Sequence, residues 1–517
     1  MKPLRLAQLA QWCGGRLHGD DAEVDAVSTD TRTLAPHPNP PPQAGEGGER
    51  AARAGGGVLF VALKGGNFDG HDALSAFVGG ASAPTKSAGK PVAAKADPTK
   101  AVAAALVSRE LEIDLPQVVV ADTERALGAF AAAMQERRAT KVLAVTGSNG
   151  KTSVKSLLLA ILAHAGEAYA NPGNRNNEIG LPLAVIEAPD DADFAVYEMG
   201  AGKPGDIAYL TGIARPDVAL VNNIAPAHLE RMGSLLGVAD TKAAIYDALP
   251  AQGVAVINAD DAFAPFFEQR VFADRAQGRR ILRFGLDASA EVTARDIVAN
   301  ADGSEFTLAT PAGETRIELA LPGRHSVRNA LAAAAMALGA GVPLDAIRAG
   351  LGEARAVAGR LVRHRLGNGA LLIDDSYNAN PGSLDAAIDM LASAGGEAWL
   401  VLGDMRELGA DAEALHAAAG RRAKAAGIAR LYALGPLSAA TAEAFGAGAR
   451  HFDSHQALAE ALKAGIGDWG SGMGKSGASA NPESRIAALG ILVKGSRGSA
   501  MDRVVAVLLE GESKHAA

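Results

Sequence analysis

Short apolar runs alternate along the chain with stretches in which apolar residues recur at helical spacing. The clearest case begins with the apolar run 142–145, which predicts a buried strand, and continues beyond a polar turn. The apolar residues at helical spacing after that turn are Val154, Leu157, Leu158, Ile161 and Leu162. Gly166 follows as the expected helix C-cap. The pattern predicts a strand, a turn and a helix that packs back on the strand.

The same alternation continues through two blocks, residues 141–340 and 341–517, which follow a first block at 1–140. Strands are predicted at 194–197, 217–221, 253–257, 371–373, 399–402, 430–433 and 491–493, and a helix at 123–138. Strands that alternate with helices favour mainly parallel sheets covered by helices. A length of 517 residues fits about three domains of ~150 residues each. We therefore predict an α/β fold of three domains.

Three stretches of low complexity interrupt these blocks at residues 37–57, 79–100 and 465–484. They are rich in Pro, Gly, Ala, Ser or Lys and lack the apolar residues that a core requires. We interpret all three as insertions. For 79–100, which contains several lysines, a basic recognition arm is the alternative to a solvated loop.

Composition excludes several classes of protein. The formal net charge is −8 and the acidic and basic residues are interspersed, which argues against nucleic acid or an anionic membrane as the main partner. The single cysteine, Cys13, excludes intrachain disulfides and cysteine-rich metal sites. The N-terminus lacks the apolar core of a signal peptide, and the longest apolar run, 330–341, is too short to span a bilayer. We expect a soluble cytoplasmic protein.

The polar turn at 146–153, T-G-S-N-G-K-T-S, has the composition of a phosphate-binding loop. Glycines allow backbone N–H groups to close on phosphate oxygens, and the N-terminus of the following helix favours an anion. Lys151 would reach the β- and γ-phosphates, and the Thr152 hydroxyl would hold Mg²⁺. The predicted ATP contacts in this loop are Gly147, Ser148, Asn149, Gly150, Lys151, Thr152 and Ser153.

The loop matches only the shorter G-x-x-G-K-T-S form of the motif. Val145 stands where the strict G-x-x-x-x-G-K-[ST] pattern has its first glycine. The loop does not distinguish ATP from GTP, but the chain has no N-K-x-D sequence of the kind that reads guanine. ATP is therefore the favoured nucleotide.

Other polar residues follow predicted strands. Glu198 comes at the end of the strand at 194–197, where a carboxylate beside a phosphate loop commonly holds Mg²⁺; the alternative is a surface glutamate. His228 follows a later strand and is a candidate metal ligand, although a lone histidine is more often structural. Asn174, Asn176 and Asn177 by themselves indicate only an asparagine-rich loop.

Nine motifs in a fixed order resemble those of the Mur ligases, the ATP-dependent amide-forming enzymes of peptidoglycan precursor synthesis. They are S-T-D-T-R (28–32), L-F-V-A-L-K-G-x-N-F-D-G-H-D (59–72), T-G-S-N-G-K-T-S (146–153), G-N-x-N-N-x-I-G-L-P (173–182), Y-E-M-G-A (197–201), H-L-E-R-M-G-S (228–234), D-D-S-Y-N-A-N-P (374–381), L-G-D-M-R-E-L-G (402–409) and K-G-S-R (494–497). The resemblance is strongest to the members that join D-alanyl-D-alanine to UDP-N-acetylmuramoyl-tripeptide. It spans all three blocks and spares only the insertions.

The resemblance implies an N-terminal UDP-substrate domain at 1–140, a central ATP-binding domain at 141–340 and a C-terminal Rossmann-like domain at 341–517. It places the UDP-muramoyl site at Ser28, Thr29, Asp30, Arg32, Lys64, Asp69 and His71. On physical grounds only Arg32 and Lys64 could neutralise a diphosphate. The C-terminal domain lacks a G-x-G-x-x-G sequence after its first strand, so no dinucleotide site is expected there.

The resemblance also implies two Mg²⁺ ions beside the phosphate loop. Thr152 and Glu198 would hold one, and His228 the other. Lys242 matches a lysine that several Mur ligases carry as a carbamate, whose negative charge suits a metal better than an ammonium; the alternative is a lysine on a helix surface. The implied catalytic residues are Lys151, Glu198, His228 and Lys242.

Further nucleotide and substrate positions are carried over from the family in the same way. For ATP they are Asn258, His325 and Asn329 near adenine, Arg360 at a phosphate and Asp375 at the ribose. For the substrates they are Asn174, Asn176, Asn177, Asn378, Asn380, Lys494 and Arg497, with the partners of the last two left open.

The implied reaction proceeds through an acyl phosphate, and the C-terminal domain is expected to close on the phosphate loop when ATP and the UDP substrate bind. Two alternatives stay open: another substrate within the fold, as in other Mur ligases or folylpolyglutamate synthase, and an ATPase switch without an acceptor amine. A monomer is expected. The third residue of the tripeptide, diaminopimelate or lysine, is not determined by the sequence.

Overall fold

A computed structural model describes residues 1–34, 57–66, 68–78, 101–226, 229–273, 278–299, 303–473 and 489–510. The predicted insertions at 37–57 and 79–100 lie outside these ranges, apart from Gly57 at the start of a strand. His228 also lies outside them. Within the described ranges, none of the helices combines the length and apolarity that a membrane span requires.

The N-terminal unit contains a six-stranded mixed sheet in the order β1-β3-β4-β7-β8-β2, flanked by helices. Its elements are β1 (Leu4–Arg5), α1 (Leu6–Cys13), β2 (Arg16–His18), β3 (Glu23–Ser28), β4 (Gly57–Val61), β5 (Lys64–Gly65), β6 (Phe68–Asp69), α2 (Gly70–Val78), β7 (Val102–Val107), β8 (Gln117–Val119) and α3 (Thr123–Gln135). The Asp122 carboxylate caps α3 by accepting the N–H groups of Glu124 and Arg125. The helix ends three residues before the predicted Arg138.

The central unit is built on a six-stranded sheet in the order β10-β11-β9-β12-β13-β14, in which every pair is parallel. Its elements are β9 (Lys141–Thr146), α4 (Lys151–Leu162), β10 (Ala168–Ala170), α5 (Gly180–Glu187), β11 (Phe194–Glu198), α6 (Asp206–Ala214), β12 (Val218–Val221), α7 (Leu229–Met232), α8 (Leu235–Asp247), β13 (Val254–Asn258), α9 (Ala264–Ala273), β14 (Arg280–Phe284), β15 (Thr293–Ala299), β16 (Ser304–Thr310), β17 (Gly313–Leu319), α10 (Arg324–Gly339) and α11 (Leu344–Glu353). The predicted parallel sheet is confirmed, but the patterns missed β10, β14 and the antiparallel sheet β15-β16-β17.

Alternate residues of β9 enter the hydrophobic clusters on the two faces of this sheet. Val142 and Ala144 join the core that continues into the N-terminal unit, whereas Leu143 and Val145 join the core under α4 and α10. The apolar stripe predicted on α4 is buried. The C-cap expected at Gly166 is wrong, because α4 ends at Leu162.

Helix α11 lies beyond residue 341 but packs against α4 and β17. Its residues Ile347 and Leu351 belong to the same hydrophobic cluster as α4 and α10. The core of the central unit therefore extends past the boundary drawn from the sequence.

The C-terminal unit has a six-stranded sheet in the order β18-β19-β23-β20-β21-β22, in which only β18 is antiparallel. Its elements are β18 (Val362–Arg365), β19 (Leu371–Asp375), α12 (Pro381–Ser393), β20 (Glu397–Gly403), α13 (Ala412–Ala425), β21 (Arg430–Leu434), α14 (Ser438–Phe445), β22 (Ala449–Phe452), α15 (His455–Met473), β23 (Leu489–Lys494) and α16 (Asp502–Glu510). The four predicted strands are present, and β18 and β22 are additional edge strands. The predicted start of the third insertion at Gly465 is too early, because α15 continues to Met473. The rest of that stretch, residues 474–484, lies outside the described residues.

Candidate active site

The loop between β9 and α4 has the backbone shape of a phosphate cradle. Gly147 and Gly150 have φ values of 143° and 78°, which favour glycine. A Cβ atom on Gly150 would lie 2.5 Å from Asn222 Nδ2, so the loop has no room for a side chain there. The Lys151 ammonium donates to the Gly147 carbonyl at 2.8 Å. Burial lowers the pKa of Lys151, and nearby Glu198 partly offsets that effect. The Lys151 side chain is therefore already placed at the loop, where it could contact a bound anion.

Asparagines at the end of β12 hold the tip of this loop. Asn222 and Asn223 donate through Nδ2 to the Asn149 carbonyl at 2.9 and 3.1 Å, and the Asn149 N–H donates to Asn223 Oδ1 at 2.8 Å. The sequence patterns indicated no role for Asn222 or Asn223. The available signal was their position, directly after an apolar strand that neighbours β9.

Glu198, at the end of β11, faces the start of α4. Its carboxylate accepts hydrogen bonds from Thr152 Oγ1 and Asn176 Nδ2, both at 2.9 Å, and Lys155 Nζ lies 3.2 Å away. Burial raises the pKa of Glu198, but Lys155, Lys151 and the Thr152 hydrogen bond outweigh burial and lower it. The site therefore presents an ionised carboxylate and a hydroxyl oxygen, which are ligand types that Mg²⁺ prefers.

The donor set suits Mg²⁺ only if a nucleotide and water complete the coordination. No group of three or more His, Cys, Asp and Glu side chains capable of holding a metal occurs in the described part of the chain. The incomplete set matches how Mg²⁺ binds in nucleotide sites, with one or two carboxylates plus phosphate oxygens.

Lys155, one turn after Lys151 on α4, is a site residue that no sequence motif indicated. Its ammonium donates to the carbonyls of Asn171 and Gly173, both at 2.9 Å, as well as approaching Glu198. Asn171 in turn accepts the Glu198 N–H at 2.9 Å. Lys155 thus ties the carboxylate to the loop that carries Asn176. Only its place on the apolar face of α4 distinguishes it in the sequence.

Lys242 on α8 is buried and lines the same cleft. Among the described residues its ammonium has no hydrogen-bond or ion-pair partner. Burial, followed by the positive charge of Lys151, lowers its pKa to about 7. The alternative of a lysine on a helix surface is therefore wrong.

A cleft of about 1090 Å³ separates the central and C-terminal units, and residues of both line it. Arg360 Nη2 donates to Thr152 Oγ1 at 2.9 Å, and Asn380 Nδ2 donates to Asn149 Oδ1 at 2.7 Å. The predicted site residues that line the cleft are Gly147, Ser148, Asn149, Gly150, Lys151, Thr152, Ser153, Asn174, Asn176, Asn177, Glu198, Lys242, Asn258, His325, Asn329, Arg360, Asp375, Asn378, Asn380, Lys494 and Arg497. The C-terminal unit therefore reaches the phosphate loop directly.

Several of these side chains already have partners inside the protein. Asn258 Nδ2 donates to the Asn222 carbonyl at 2.9 Å, and Lys494 pairs with Asp375 and donates to the Asn378 carbonyl at 3.0 Å. These contacts make Asn258 and Lys494 supports of the cleft wall.

His325 differs from its neighbours on the cleft wall. The residue is half-buried, burial lowers its pKa, and its buried Nε2 has no hydrogen-bond partner among the described residues. An unsatisfied buried nitrogen on the wall of a cleft fits a ligand contact.

The predicted UDP-substrate residues lie in the N-terminal unit, and none of them lines the central cleft. Ser28 and Thr29 are at the end of β3, and Lys64 is exposed on β5. Arg32 donates to both carboxylate oxygens of Asp30, with its Nη2 at 2.7 Å from Oδ2, and this bond lowers the Asp30 pKa. Arg32 would therefore have to leave Asp30 before it could neutralise a diphosphate.

His71 and Asp69 form a second pair in the same unit. His71 Nδ1 lies 2.6 Å from Asp69 Oδ1, and the Ser108 N–H donates to His71 Nε2 at 2.9 Å. Because Nε2 accepts that bond, Nδ1 carries the ring proton and donates a hydrogen bond to the Asp69 carboxylate. The histidine ring is buried and held in one tautomer.

A phosphate loop in a parallel sheet that faces a second α/β unit across a cleft is the arrangement of a nucleotide-dependent enzyme. Residues 145–337 match the Mur ligase middle domain, and residues 359–474 match the Mur ligase, glutamate ligase domain. The chain belongs to the Mur ligase family, as its motifs indicated.

Its relatives narrow the family further. The UDP-N-acetylmuramoyl-tripeptide–D-alanyl-D-alanine ligase of Escherichia coli (strain K12) is 42% identical over 512 residues, which cover 99% of both chains. The Haemophilus influenzae enzyme of the same name is 35% identical over 89% of this chain and 92% of its own.

Solved structures give the same result. A crystal structure of MurF from Acinetobacter baumannii aligns with a TM-score of 0.82 and 30% identity over 99% of both chains. Folylpolyglutamate synthase from Mycobacterium tuberculosis aligns with a TM-score of 0.59 and 19% identity over 74% of this chain and 93% of its own, which shows a shared fold alone.

Proposed function

We propose that this chain is an ATP-dependent ligase that joins D-alanyl-D-alanine to UDP-N-acetylmuramoyl-tripeptide, forming ADP and phosphate. The observation that carries the proposal is the cleft in which Arg360 and Asn380 of the C-terminal unit meet Thr152 and Asn149 of the phosphate loop. A ligase of this type needs a nucleotide on one wall and an acceptor on the other. The full-length similarity to enzymes of that name supports the choice of substrates.

The proposed chemistry is acyl activation followed by amide formation. A carboxylate oxygen of the tripeptide attacks the γ-phosphorus, ADP leaves, and an acyl phosphate forms. The dipeptide amine then attacks the acyl carbon, phosphate leaves with that carboxylate oxygen, and the amine loses a proton. Such chemistry depends mainly on positioning and on neutralising the charge of the transferring group.

The residues of the phosphate loop supply that neutralisation. Lys151 would exchange the Gly147 carbonyl for the β- and γ-phosphates, and Arg360 would leave the Thr152 hydroxyl for a phosphate oxygen. Thr152 and Glu198 would then hold Mg²⁺, which supplies Lewis-acid stabilisation of the phosphoryl oxygens when bound. His228 remains the proposed ligand of a second ion.

Lys242 is proposed to carry a carbamate. An amine whose pKa is about 7 is substantially unprotonated near neutral pH, and the free amine can attack CO₂, forming an N–C bond and releasing a proton. The added carboxylate would place a negative charge beside the Lys151 ammonium. After incubation with ¹³C-bicarbonate, a carbamate carbon signal should appear in the NMR spectrum and be absent from Lys242→Arg; equal signals in both proteins would contradict the assignment.

The acceptor is expected on the C-terminal wall, near Asn378 and Asn380. Phosphate release measured with ATP and UDP-N-acetylmuramoyl-tripeptide should depend on added D-alanyl-D-alanine. Glutamate in place of the dipeptide tests the folylpolyglutamate-synthase alternative. Release that ignores the acceptor would favour the ATPase alternative and reject the ligase.

A Lys151→Ala variant tests the assignment of the nucleotide site. It should lose turnover and keep UDP-substrate binding, because the candidate UDP residues lie outside the cleft. Turnover that survives in the variant would remove the phosphate loop from the mechanism. We propose that the enzyme is cytoplasmic and monomeric. Light scattering of the purified protein would check that it is a monomer.

A further inference from the structure

Tyr377, in the loop after β19, lies next to two arginines that come from different segments. The guanidinium carbons of Arg360 and Arg497 are 4.3 and 4.9 Å from the centroid of its ring. A guanidinium over an aromatic face within about 6 Å is attracted by the ring. In the described part of the chain neither arginine has a carboxylate partner, so the ring is the common contact of both cations.

The backbone around Arg360 is also tied to Tyr377. The Tyr377 N–H donates to the Gly359 carbonyl at 3.1 Å, and a Cβ atom on Gly359 would lie 3.2 Å from the Tyr377 Cβ. Gly359 and Leu361 have φ values of 70° and 55°, so two left-handed residues flank the arginine. A leucine in that conformation is strained, and such strain persists where the surroundings impose it. Tyr377 is part of those surroundings.

Both arginines line the cleft that contains the phosphate loop. Arg360 Nη2 reaches the Thr152 hydroxyl at 2.9 Å, while its Nε is buried and has no hydrogen-bond partner among the described residues. Two guanidinium groups that share one ring and have no carboxylate partner repel each other, and a bound anion would reduce that repulsion. The anion that the proposed function brings to this place is the phosphoryl group in transfer.

We propose that Tyr377 is a positioning residue that holds Arg360 and Arg497 at a fixed spacing toward the transferring phosphoryl group. The proposal rests on the proposed function for the identity of the anion. The ring, and not the hydroxyl, is the required part, because each contact is between a guanidinium and the ring. Fixing both cations before reaction lowers the cost of reorganisation in the transition state.

The test compares Tyr377→Phe, which keeps the ring, with Tyr377→Leu, which removes it. The leucine variant should lose about tenfold in kcat, since two contacts weaken at once, with the KM for ATP little changed. The phenylalanine variant should stay within about twofold of the wild type. Tyr209→Leu is the matched control, because it removes a cation–π contact with Arg125 at 4.8 Å outside the cleft and should leave kcat unchanged.

Binding by calorimetry separates positioning from general damage. ADP with aluminium fluoride, which imitates a phosphoryl group in transfer, should bind about tenfold more weakly to Tyr377→Leu, whereas ADP alone should bind equally to both proteins. If the leucine variant does not fold, Arg360→Lys, which keeps the charge but loses the planar stack, should show the same selective loss.

Three results would overturn the proposal: a phenylalanine variant as impaired as the leucine variant, an unimpaired leucine variant, or equal losses for ADP with and without aluminium fluoride. The binding comparison needs no acceptor. It therefore still tests Tyr377 if the wild type shows no dipeptide-dependent turnover, which is the result that would reject the ligase itself.

Discussion

Lys155→Met should destabilise the central unit strongly. Lys155 is 7% exposed, donates to the carbonyls of Asn171 and Gly173, and lies 3.2 Å from the Glu198 carboxylate, which is itself 3% exposed. Methionine has a similar length and no charge, so the substitution leaves two carbonyls and a buried carboxylate without their cation. Removing one partner of a buried ion pair costs about 3–5 kcal/mol.

We expect the lower end of that range, because Glu198 keeps its hydrogen bonds from Thr152 and Asn176 and the nearby charge of Lys151. A loss of about 3 kcal/mol corresponds to roughly 6–12 °C in the Tm of a unit of this size. Differential scanning calorimetry would measure it, with the transition of the central unit followed separately because a protein of several domains need not unfold in one step.

Lys203→Met is the matched control, since Lys203 is exposed and its ion pair with Asp206 at 3.3 Å is a surface pair. Its effect should stay below about 1 kcal/mol. A double variant, Lys155→Met with Glu198→Gln, should recover part of the loss if the unpaired carboxylate is its cause. A Tm for Lys155→Met within about 2 °C of the wild type would show that the pair of Lys155 and Glu198 does not stabilise the central unit.

The same pair gives a dependence on pH. The pKa of Glu198 is lowered in the folded protein, so its stabilising contribution is present above the ordinary glutamate pKa and is lost as the pH falls through the lowered value. Without Lys155 the pKa of Glu198 rises. Because that pKa then lies closer to the unfolded-state value or above it, acidification should cost Lys155→Met less stability than it costs the wild type.

Three other predictions concern the loop, the buried amine and the contact between units. Gly150→Ala should weaken binding of an ATP analogue more than about tenfold in calorimetry, because φ is 78° and the added Cβ would lie 2.5 Å from Asn222 Nδ2; unchanged affinity would contradict the loop geometry. Lys242 has a pKa of about 7 against an ordinary 10.5, so the unfolded chain binds more protons between these values and stability should rise with pH across that window. Lys242→Met should remove that rise in denaturant titrations under CO₂-free buffer, and a parallel rise in both proteins would exclude Lys242 as its source. Asn380→Ala removes the 2.7 Å bond to Asn149, so small-angle scattering should show less compaction with ATP analogue and UDP substrate than in the wild type; a wild type that does not compact at all would reject domain closure.

The elements that the sequence predicted well are those with a strong local signal. The strand before the phosphate loop is a continuous apolar run because it is buried on both faces of a parallel sheet. The missed strands lack that signal: β10 has three residues, all half-buried, and β18 and β22 are edge strands in which no residue is fully buried. The antiparallel strands β15–β17 mix charged residues with apolar ones because one face is exposed.

The residues of the candidate site also differ in whether a local sequence signal indicates them. The phosphate loop was predictable because its chemistry resides in eight consecutive residues. Lys155 and Asn222 were not, since their roles depend on the order β11-β9-β12, which brings the ends of distant segments to either side of the loop. The pairing of Arg32 with Asp30 was not predictable either, because it is a matter of side-chain geometry that composition does not reveal.

The proposed acyl-phosphate mechanism transfers one carboxylate oxygen of the tripeptide to phosphate. UDP-N-acetylmuramoyl-tripeptide labelled with ¹⁸O in its terminal carboxylate, incubated with ATP and D-alanyl-D-alanine, tests this transfer by mass spectrometry of the released phosphate. We expect one labelled oxygen in each phosphate released, together with the amide product. Phosphate without label would contradict the acyl-phosphate mechanism, since an ATPase that uses water as the nucleophile would give that result.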